Sequence, residues 1–281
     1  MTEIPFKKIK NSLLREIPSE LVSRLPEKWE KIGDVLTIVL PSILDGYKNT
    51  IGKRYAEILS CKTVLKNIGG IEGEFRVPNV EIIYGSKYTE TIHKENKVKF
   101  KLDPQKIMFS SGNMDERIRI ANISNKNETV VDLFAGVGYF TIPIAVYSKP
   151  KKIFACEKNN IAFNYLKENI ILNDVASIVE PIKGDNRIVA PKNIADRVIM
   201  GYINETQKFL SIAIDCLNNR NGIIHFHNTF TYKTIPNSPM KIVEKELVKK
   251  GCIAELLNYS HVKSYAPGIS HYVFDIKIGE K

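Results

Sequence analysis

Apolar residues recur along this chain at two spacings, and the alternation between them predicts its elements. In "SLLREIPSELVSRL" they fall three and four apart, which predicts helix over residues 11–28 with an interruption at Pro18. "WEKIGDVLTIVLP" reads as a strand after a turn at Gly33-Asp34, and "YKNTIGKRYAEILS" as a helix. "CKTVLKNIGGIEGEFRVPNVEIIYG" supplies short strands divided by Gly-Gly and Pro. In "YTETIHKENKVKFKLDP", Val98, Phe100 and Leu102 alternate with Lys97, Lys99 and Lys101, which predicts a hairpin turning at Glu95-Asn96. This first region is mixed α+β and ends near Pro104.

Beyond it the pattern changes. "MDERIRIANIS" predicts a short helix and "ETVVDLF" a strand. Residues 138–148 predict a helix, "KKIFACE" a strand and residues 159–173 a helix. "ASIVEPIKGD" and "DRVIMGYI" are strands, "TQKFLSIAIDCLN" a helix, "NGIIHFHNTF" a strand and "SPMKIVEKELVKKG" a helix. Two last strands, near 253–263 and 270–279, meet across "SYAPGIS". Strands alternating with helices indicate a parallel sheet covered on both faces. The final pair, with no helix between, indicates an antiparallel edge. The expected domains are residues 1–105 and 106–281.

Composition narrows the function classes. No apolar run approaches the roughly 20 residues of a membrane span, and the N-terminus "MTEIPFKKIK" lacks a signal peptide's apolar stretch. The expected location is the cytoplasm. Cys61, Cys156, Cys216 and Cys252 are scattered, without a CxxC pair, and read as reduced, mostly buried thiols, not zinc ligands or disulfides. The net charge of +10 is spread over both regions. It suits a polyanionic partner such as RNA, or equally a lysine-rich solvated surface.

The chemistry gathers at "VVDLFAGVGYF", residues 130–140. In a doubly wound sheet, ligands sit beyond the carboxyl ends of the strands where strand order reverses. Gly136 and Gly138 let the backbone turn tightly and approach a ligand, and the following helix offers free N–H groups. The dinucleotide fingerprint needs a third small residue, but Thr141 stands there. Asp132 would oppose a pyrophosphate and suits a cationic ligand instead. S-adenosylmethionine carries a sulfonium and an ammonium and no phosphate. Glu157, about 20 residues past the glycine turn, stands where an acid accepts hydrogen bonds from ribose hydroxyls. Asp185, after the third strand, could take the adenine amino group, with Asn186 beside it. One acid at a strand end is ordinarily a solvated turn residue; three after three successive strands point to a cofactor rim.

"VLKNIGGIEGEFRVP", "TIHKENKVKFKLDPQKIMFSSGNMDERIRI", "VVDLFAGVGYFTIPIA", "ACEKN" and "VKSYAPGISHYVFDI" together resemble one family over nearly all of the chain beyond residue 30. It contains the tRNA guanine-37 N1-methyltransferases of archaea and eukaryotes and the related wybutosine-synthesis aminocarboxypropyltransferases. The resemblance implies an α/β fold: a Rossmann-like class I S-adenosylmethionine-dependent transferase domain behind an N-terminal α+β, RNA-facing domain. It implies that the small RNA-docking domain many methyltransferases carry in front is absent or reduced to about the first 30 residues, within the usual boundary error. It implies action at position 37 of tRNA, beside the anticodon. The family's "FSxGN…ER" segment, which flanks the cofactor, maps onto Ser110, Asn113, Glu116 and Arg117. Arg117 is the expected partner of the methionine carboxylate, since a guanidinium matches a carboxylate bidentately; its alternative is a helix-surface ion pair. The candidate cofactor-binding set is Ser110, Arg117, Asp132, Phe134, Gly136, Glu157, Asp185 and Asn186. No metal and no obligate protein partner are expected.

The methyltransferase branch carries an Asn-Pro-Pro-like turn after its fourth strand. Here Gly201-Tyr202-Ile203-Asn204 occupies that place, with no proline. That departure, with "IIHFHNTF", resembles the aminocarboxypropyltransferase branch. The implied reaction moves the 3-amino-3-carboxypropyl group of S-adenosylmethionine to the C7 side-chain carbon of 4-demethylwyosine in the anticodon stem-loop of tRNA-Phe, and methylthioadenosine leaves. Guanine-37 N1-methylation is the alternative. His225 and His227, at i and i+2, point to one face. They are open to structural, substrate-lining, basic or RNA-contacting roles, and two histidines alone make a poor metal site. No catalytic residue is assigned. Tyr202 is a candidate to stack on the base, or to pack.

Overall fold

A computed structural model describes residues 4–203 and 205–280. Asn204, the last residue of the turn compared above, lies outside the described residues. The chain forms two compact units. The first comprises residues up to 94 with 100–111, and the second comprises 95–99 with 112–281. The boundary expected at 105/106 falls inside the stretch that groups with the first unit. No sequence signal marks the hairpin tip 95–99, which groups with the second.

In the first unit, β1 (Trp29–Ile32) and β2 (Val35–Ile38) pair antiparallel around Gly33-Asp34. The single strand expected there is therefore the second arm of a hairpin. A helix over Lys48–Leu59 carries the chain to β3 (Thr63–Glu72), which lies parallel to β2. β4 (Val77–Gly85) returns antiparallel. The expected helix over 11–28 starts earlier, as Pro5–Leu13, and restarts as the short Ser19–Val22. Pro18 separates the two, because it lacks the N–H a continuing helix needs. Ile9, Leu13, Leu36, Ile38, Ile51 and Val64 meet in one core. Tyr55 is also fully buried there and satisfies its hydroxyl on the Pro26 carbonyl at 2.7 Å.

β5 (Thr91–Glu95) and β6 (Val98–Leu102) form the expected hairpin. It turns one residue later than expected, at Asn96-Lys97, both at positive φ. Two such residues make the turn whose twist matches the strands. Val98, Phe100 and Leu102 are buried as their alternation predicts.

The second unit is built on seven strands. They are β7 (Thr129–Asp132), β8 (Lys152–Glu157), β9 (Val179–Lys183), β10 (Arg197–Met200), β11 (Gly222–Thr231), β12 (Cys252–Ala266) and β13 (Ile269–Glu280). Their order is β12-β13-β11-β10-β7-β8-β9. The five strands β7 to β11 are mutually parallel. β13 inserts antiparallel beside β11, and β12 pairs antiparallel on its outer edge. Strand order thus reverses between β7 and β10, and the sequence "VVDLFAGVG" leaves the sheet at that crevice.

All four residues of β10 are buried, as expected of a central strand covered on both faces. Phe226 of β11 faces Phe274 of β13 in register, and both are fully buried. Burial of each stabilises the sheet by about 2–3 kcal/mol. Cys156, Cys216 and Cys252 are buried, and all four cysteines are free thiols. Burial pushes the Cys156 and Cys216 thiols up to about 12, so they pack as small apolar groups. No described helix is long and apolar enough to cross a membrane.

Candidate cofactor and active site

The glycine turn after β7 is held from both sides. Gly136 and Gly138 have φ of +59° and +100°. A Cβ on Gly138 would approach the Ile142 side chain to 2.5 Å, so a side chain there would clash as well as strain the backbone. Glu157, the last residue of β8, accepts the Gly136 N–H at 2.7 Å and the Asn159 N–H at 2.6 Å. Asn159 in turn caps the helix Asn160–Leu172 by accepting the Ile161 N–H. Burial raises the Glu157 carboxyl above its ordinary value, partly offset by those N–H groups.

Asp132 has a different role from the one its position suggests. Its side chain is wholly buried, where a rim carboxylate facing a cation was expected. One oxygen accepts the Phe134 N–H at 3.1 Å and the other accepts the Thr141 hydroxyl at 2.7 Å. Asp132 therefore ties the end of β7 to the start of the helix Thr141–Tyr147 and fixes the turn between them. Thr141, which breaks the dinucleotide fingerprint, is the residue that makes this tie.

Burial raises the Asp132 carboxyl from 3.8 to about 6, against the pull of its hydrogen bonds. The folded chain therefore holds this proton more tightly than the unfolded chain. The stability gained from the protonated form is fully present below about pH 4 and is lost as pH rises to about 6, amounting to roughly 3 kcal/mol. A side-chain amide at this position could not ionise. In urea titrations, Asp132→Asn should gain on wild type by about that amount between pH 4 and pH 7; a gap that stays constant contradicts this reading.

The third acid is also engaged. Asp185 caps the short helix Asn186–Val189 and is paired with the Arg187 guanidinium, with the Lys158 ammonium 3.2 Å away. Arg187 foremost holds its carboxyl well below the usual range. Asn186 is the more available group. Its Nδ2 donates to the Leu133 carbonyl at 2.7 Å, which orients the amide, and its buried Oδ1 has no partner. A buried acceptor left bare is costly unless a ligand donor meets it. An adenine amino group is such a donor.

Phe134, Tyr202 and Phe209 form an aromatic wall over the crevice. Phe134 and Tyr202 stack, with centroids 5.1 Å apart and planes 16° from parallel. Phe209 meets Phe134 edge-on at 4.9 Å. Such a wall suits a planar base. The grouping was not legible in the sequence, because Phe134 follows β7 whereas Tyr202 and Phe209 lie on the distant connection after β10.

Arg117 is buried, and its guanidinium binds Glu95 bidentately at 2.7 and 2.6 Å. A cofactor carboxylate at Arg117 would have to compete with Glu95. Ser110 and Ser111 end the stretch that groups with the first unit, where the Ser111 N–H donates to Glu30. Asn113 precedes the helix Met114–Ile120, which carries Glu116 and Arg119 into a buried charge network. Arg119 binds both Glu116 and Asp275, Asp275 accepts from His225 at 2.5 Å, and His225 faces Arg197 at 2.7 Å. Arg197 also binds Glu128. A guanidinium only donates, so His225 Nε2 must accept and its proton sits on Nδ1, toward Asp275. Burial lowers the His225 pKa, in keeping with this neutral ring. His225 is thus structural.

His227 shares the face of His225 and is fully buried. It lies 3.0 Å from His271 through Nδ1 and stacks on Phe140 at 5.1 Å. Its Nε2 has no hydrogen-bond partner and stands 3.7 Å from Glu116. Burial holds its pKa well below the ordinary value, so it is neutral. Among the described residues, no group of three or more His, Cys, Asp or Glu could hold a metal ion.

A sheet of this order, with a double-glycine turn at the strand-order reversal and an acid closing the neighbouring strand, defines a class I S-adenosylmethionine-dependent transferase. The residues fit that cofactor: a cradle that excludes Cβ atoms, Glu157 beside it, and the bare Asn186 acceptor. The description "TRM5/TYW2 methyltransferase domain" matches residues 91–255, and "TYW2 N-terminal domain" matches residues 9–89. The chain belongs to the TRM5/TYW2 family. It is 44% identical over 271 residues to a "tRNA(Phe) (4-demethylwyosine(37)-C(7)) aminocarboxypropyltransferase" of Pyrococcus horikoshii, covering 96% of each chain. It is 48% identical over 252 residues to a protein of the same name from Methanocaldococcus jannaschii, covering 89% of this chain and 97% of that one. Among solved structures, it resembles P. horikoshii TYW2 in complex with MeSAdo, with a TM-score of 0.88 and 41% identity over 98% of this chain and 100% of the other.

Proposed function

We propose that this chain transfers the 3-amino-3-carboxypropyl group of S-adenosylmethionine to C7 of 4-demethylwyosine at position 37 of tRNA-Phe. The observation that carries this reading is its likeness, over nearly its whole length, to two archaeal aminocarboxypropyltransferases. The substrate it meets is the anticodon stem-loop, which holds position 37. A tRNA substrate accords with the cytoplasmic location expected from the sequence.

S-adenosylmethionine supplies, when bound, a carbon made electrophilic by an adjoining sulfonium. The C–S bond breaks as the new C–C bond forms, the sulfur leaves with its electron pair as the neutral thioether, and the acceptor carbon gives up a proton. Such a leaving group needs no acid, so positioning supplies most of the acceleration. In this reading Glu157 accepts the ribose hydroxyls, Asn186 Oδ1 accepts the adenine amino group, and Gly136 and Gly138 let the backbone come close. The Phe134–Tyr202 pair supplies a flat surface for a purine. Asp132 acts through the turn it fixes.

Transfer from cofactor labelled separately in the methyl and carboxypropyl groups, to tRNA-Phe carrying the 4-demethylwyosine precursor, tests the assignment. Carboxypropyl label alone should enter the tRNA. Methyl label entering it would replace this reading with guanine-37 N1-methylation.

A further inference from the structure

The first unit contains an open groove of about 780 Å³, lined by Lys31, Asp34, Lys62, Glu90, Ile92, His93, Lys94 and Lys101 among others. We propose that it is an RNA-backbone subsite, which holds the phosphates of the tRNA by the lysines that line it. The inference rests on tRNA being the substrate, and it assigns contacts separate from those at the modified base.

Charge points to this first. Four lysines face two carboxylates. Asp34 is paired with Lys62 at 3.2 Å, and Glu90 with Lys101 at 2.8 Å. The Lys31 ammonium is held by the carbonyls of Leu59 at 2.6 Å and Ser60 at 3.4 Å. Those dipoles fix its place without neutralising its charge. Lys94 is exposed and has no partner among the described residues. The groove therefore keeps excess positive charge.

The frame of the groove points the same way. The Asp34 N–H donates to the Thr91 hydroxyl, that hydroxyl donates back to the Asp34 carboxylate at 2.6 Å, and the Gly33 N–H donates to His93 Nδ1. The β1–β2 turn is thus pinned to β5, residues some 60 positions apart in sequence. Accepting that N–H at Nδ1 orients the His93 ring against the turn. The strands that carry Lys31 and Lys94 are consequently held side by side. Lysines spread along an open trough suit successive phosphates, whereas one small anion would need donors converging on a point. Ile92, 45% exposed between them, offers an apolar surface to a sugar.

Lys31 and Lys94 are the residues to change, because neither leaves a carboxylate unpaired. For the full chain with transcribed tRNA-Phe, Lys31→Ala/Lys94→Ala should bind about tenfold more weakly. It should also reduce the slope of log affinity against log salt by about 2, one for each lost phosphate contact. S-adenosylmethionine affinity, measured by calorimetry, should not move, which shows the fold intact. Lys94→Glu alone should act in the same direction. An unchanged salt slope in both variants overturns the subsite while leaving the transfer reaction standing. Polyglutamate competing as well as polyuridylate would assign the groove to acidic peptides and likewise overturn it. A wild-type chain that fails to bind tRNA at all removes the proposed function itself.

Discussion

Glu157→Ala is expected to weaken S-adenosylmethionine binding about 100-fold. The carboxylate closes β8 and accepts two backbone N–H groups, one of them from the glycine turn itself. Its removal leaves those donors bare and takes away the acceptor proposed for the ribose. Charged hydrogen bonds contribute about 1.5–3 kcal/mol each, and 100-fold corresponds to about 2.7 kcal/mol. Glu157→Gln should fall between, since an amide offers one acceptor and faces the remaining donor with its own N–H. Calorimetric titration, with a melting curve to confirm folding, measures both. Affinity within threefold of wild type for Glu157→Ala would remove Glu157 from the site.

Asp275→Ala should destabilise the second unit by about 3–5 kcal/mol. The side chain stands between Arg119 and His225 in a buried chain of alternating charge. Burial pushes its carboxyl up, but the hydrogen bonds from His225 and Arg119 outweigh burial and hold it well below the ordinary range. Alanine would strand the His225 Nδ1–H and half of the Arg119 fork in the interior, the costly way to break a buried pair. Because the folded pKa is depressed, this contribution is present above the unfolded value near 4 and is lost as pH falls below it. Urea unfolding at pH 7 against pH 3.5 would show the variant's deficit narrowing at the lower pH. A deficit under about 1 kcal/mol at pH 7 would mean that solvent already relieves these groups.

Local signals carried most of the second unit. The "VVDLFAGVG" run, the acid after "IFAC" and the helix-free final strand pair each depend on residues within one turn or one strand, and the structure has them where the pattern puts them. The β13 insertion beside β11 is a choice between edges that local periodicity does not encode. The side-chain partners were the least legible. Nothing near Arg117 in sequence announces Glu95, 22 residues earlier, and nothing near Asp132 marks Thr141 as its partner. Asn159 was within reach, since an asparagine just before a helical run is an N-cap signal. The bare Asn186 oxygen was not, because its lack of a partner depends on the fold around it. In the first unit, β1 escaped notice because Trp29–Ile32 is short and half polar.

The chemistry turns on which carbon of the cofactor faces the base at position 37: the carboxypropyl arm, not the methyl group. A crystal structure of the chain with S-adenosylmethionine and a precursor anticodon stem-loop measures it as two distances. The γ-carbon should lie about 3–3.5 Å from C7, in line with the bond to sulfur, with the methyl carbon turned away. A methyl carbon at that distance from the base, with the arm folded back into the protein, would contradict the proposed transfer.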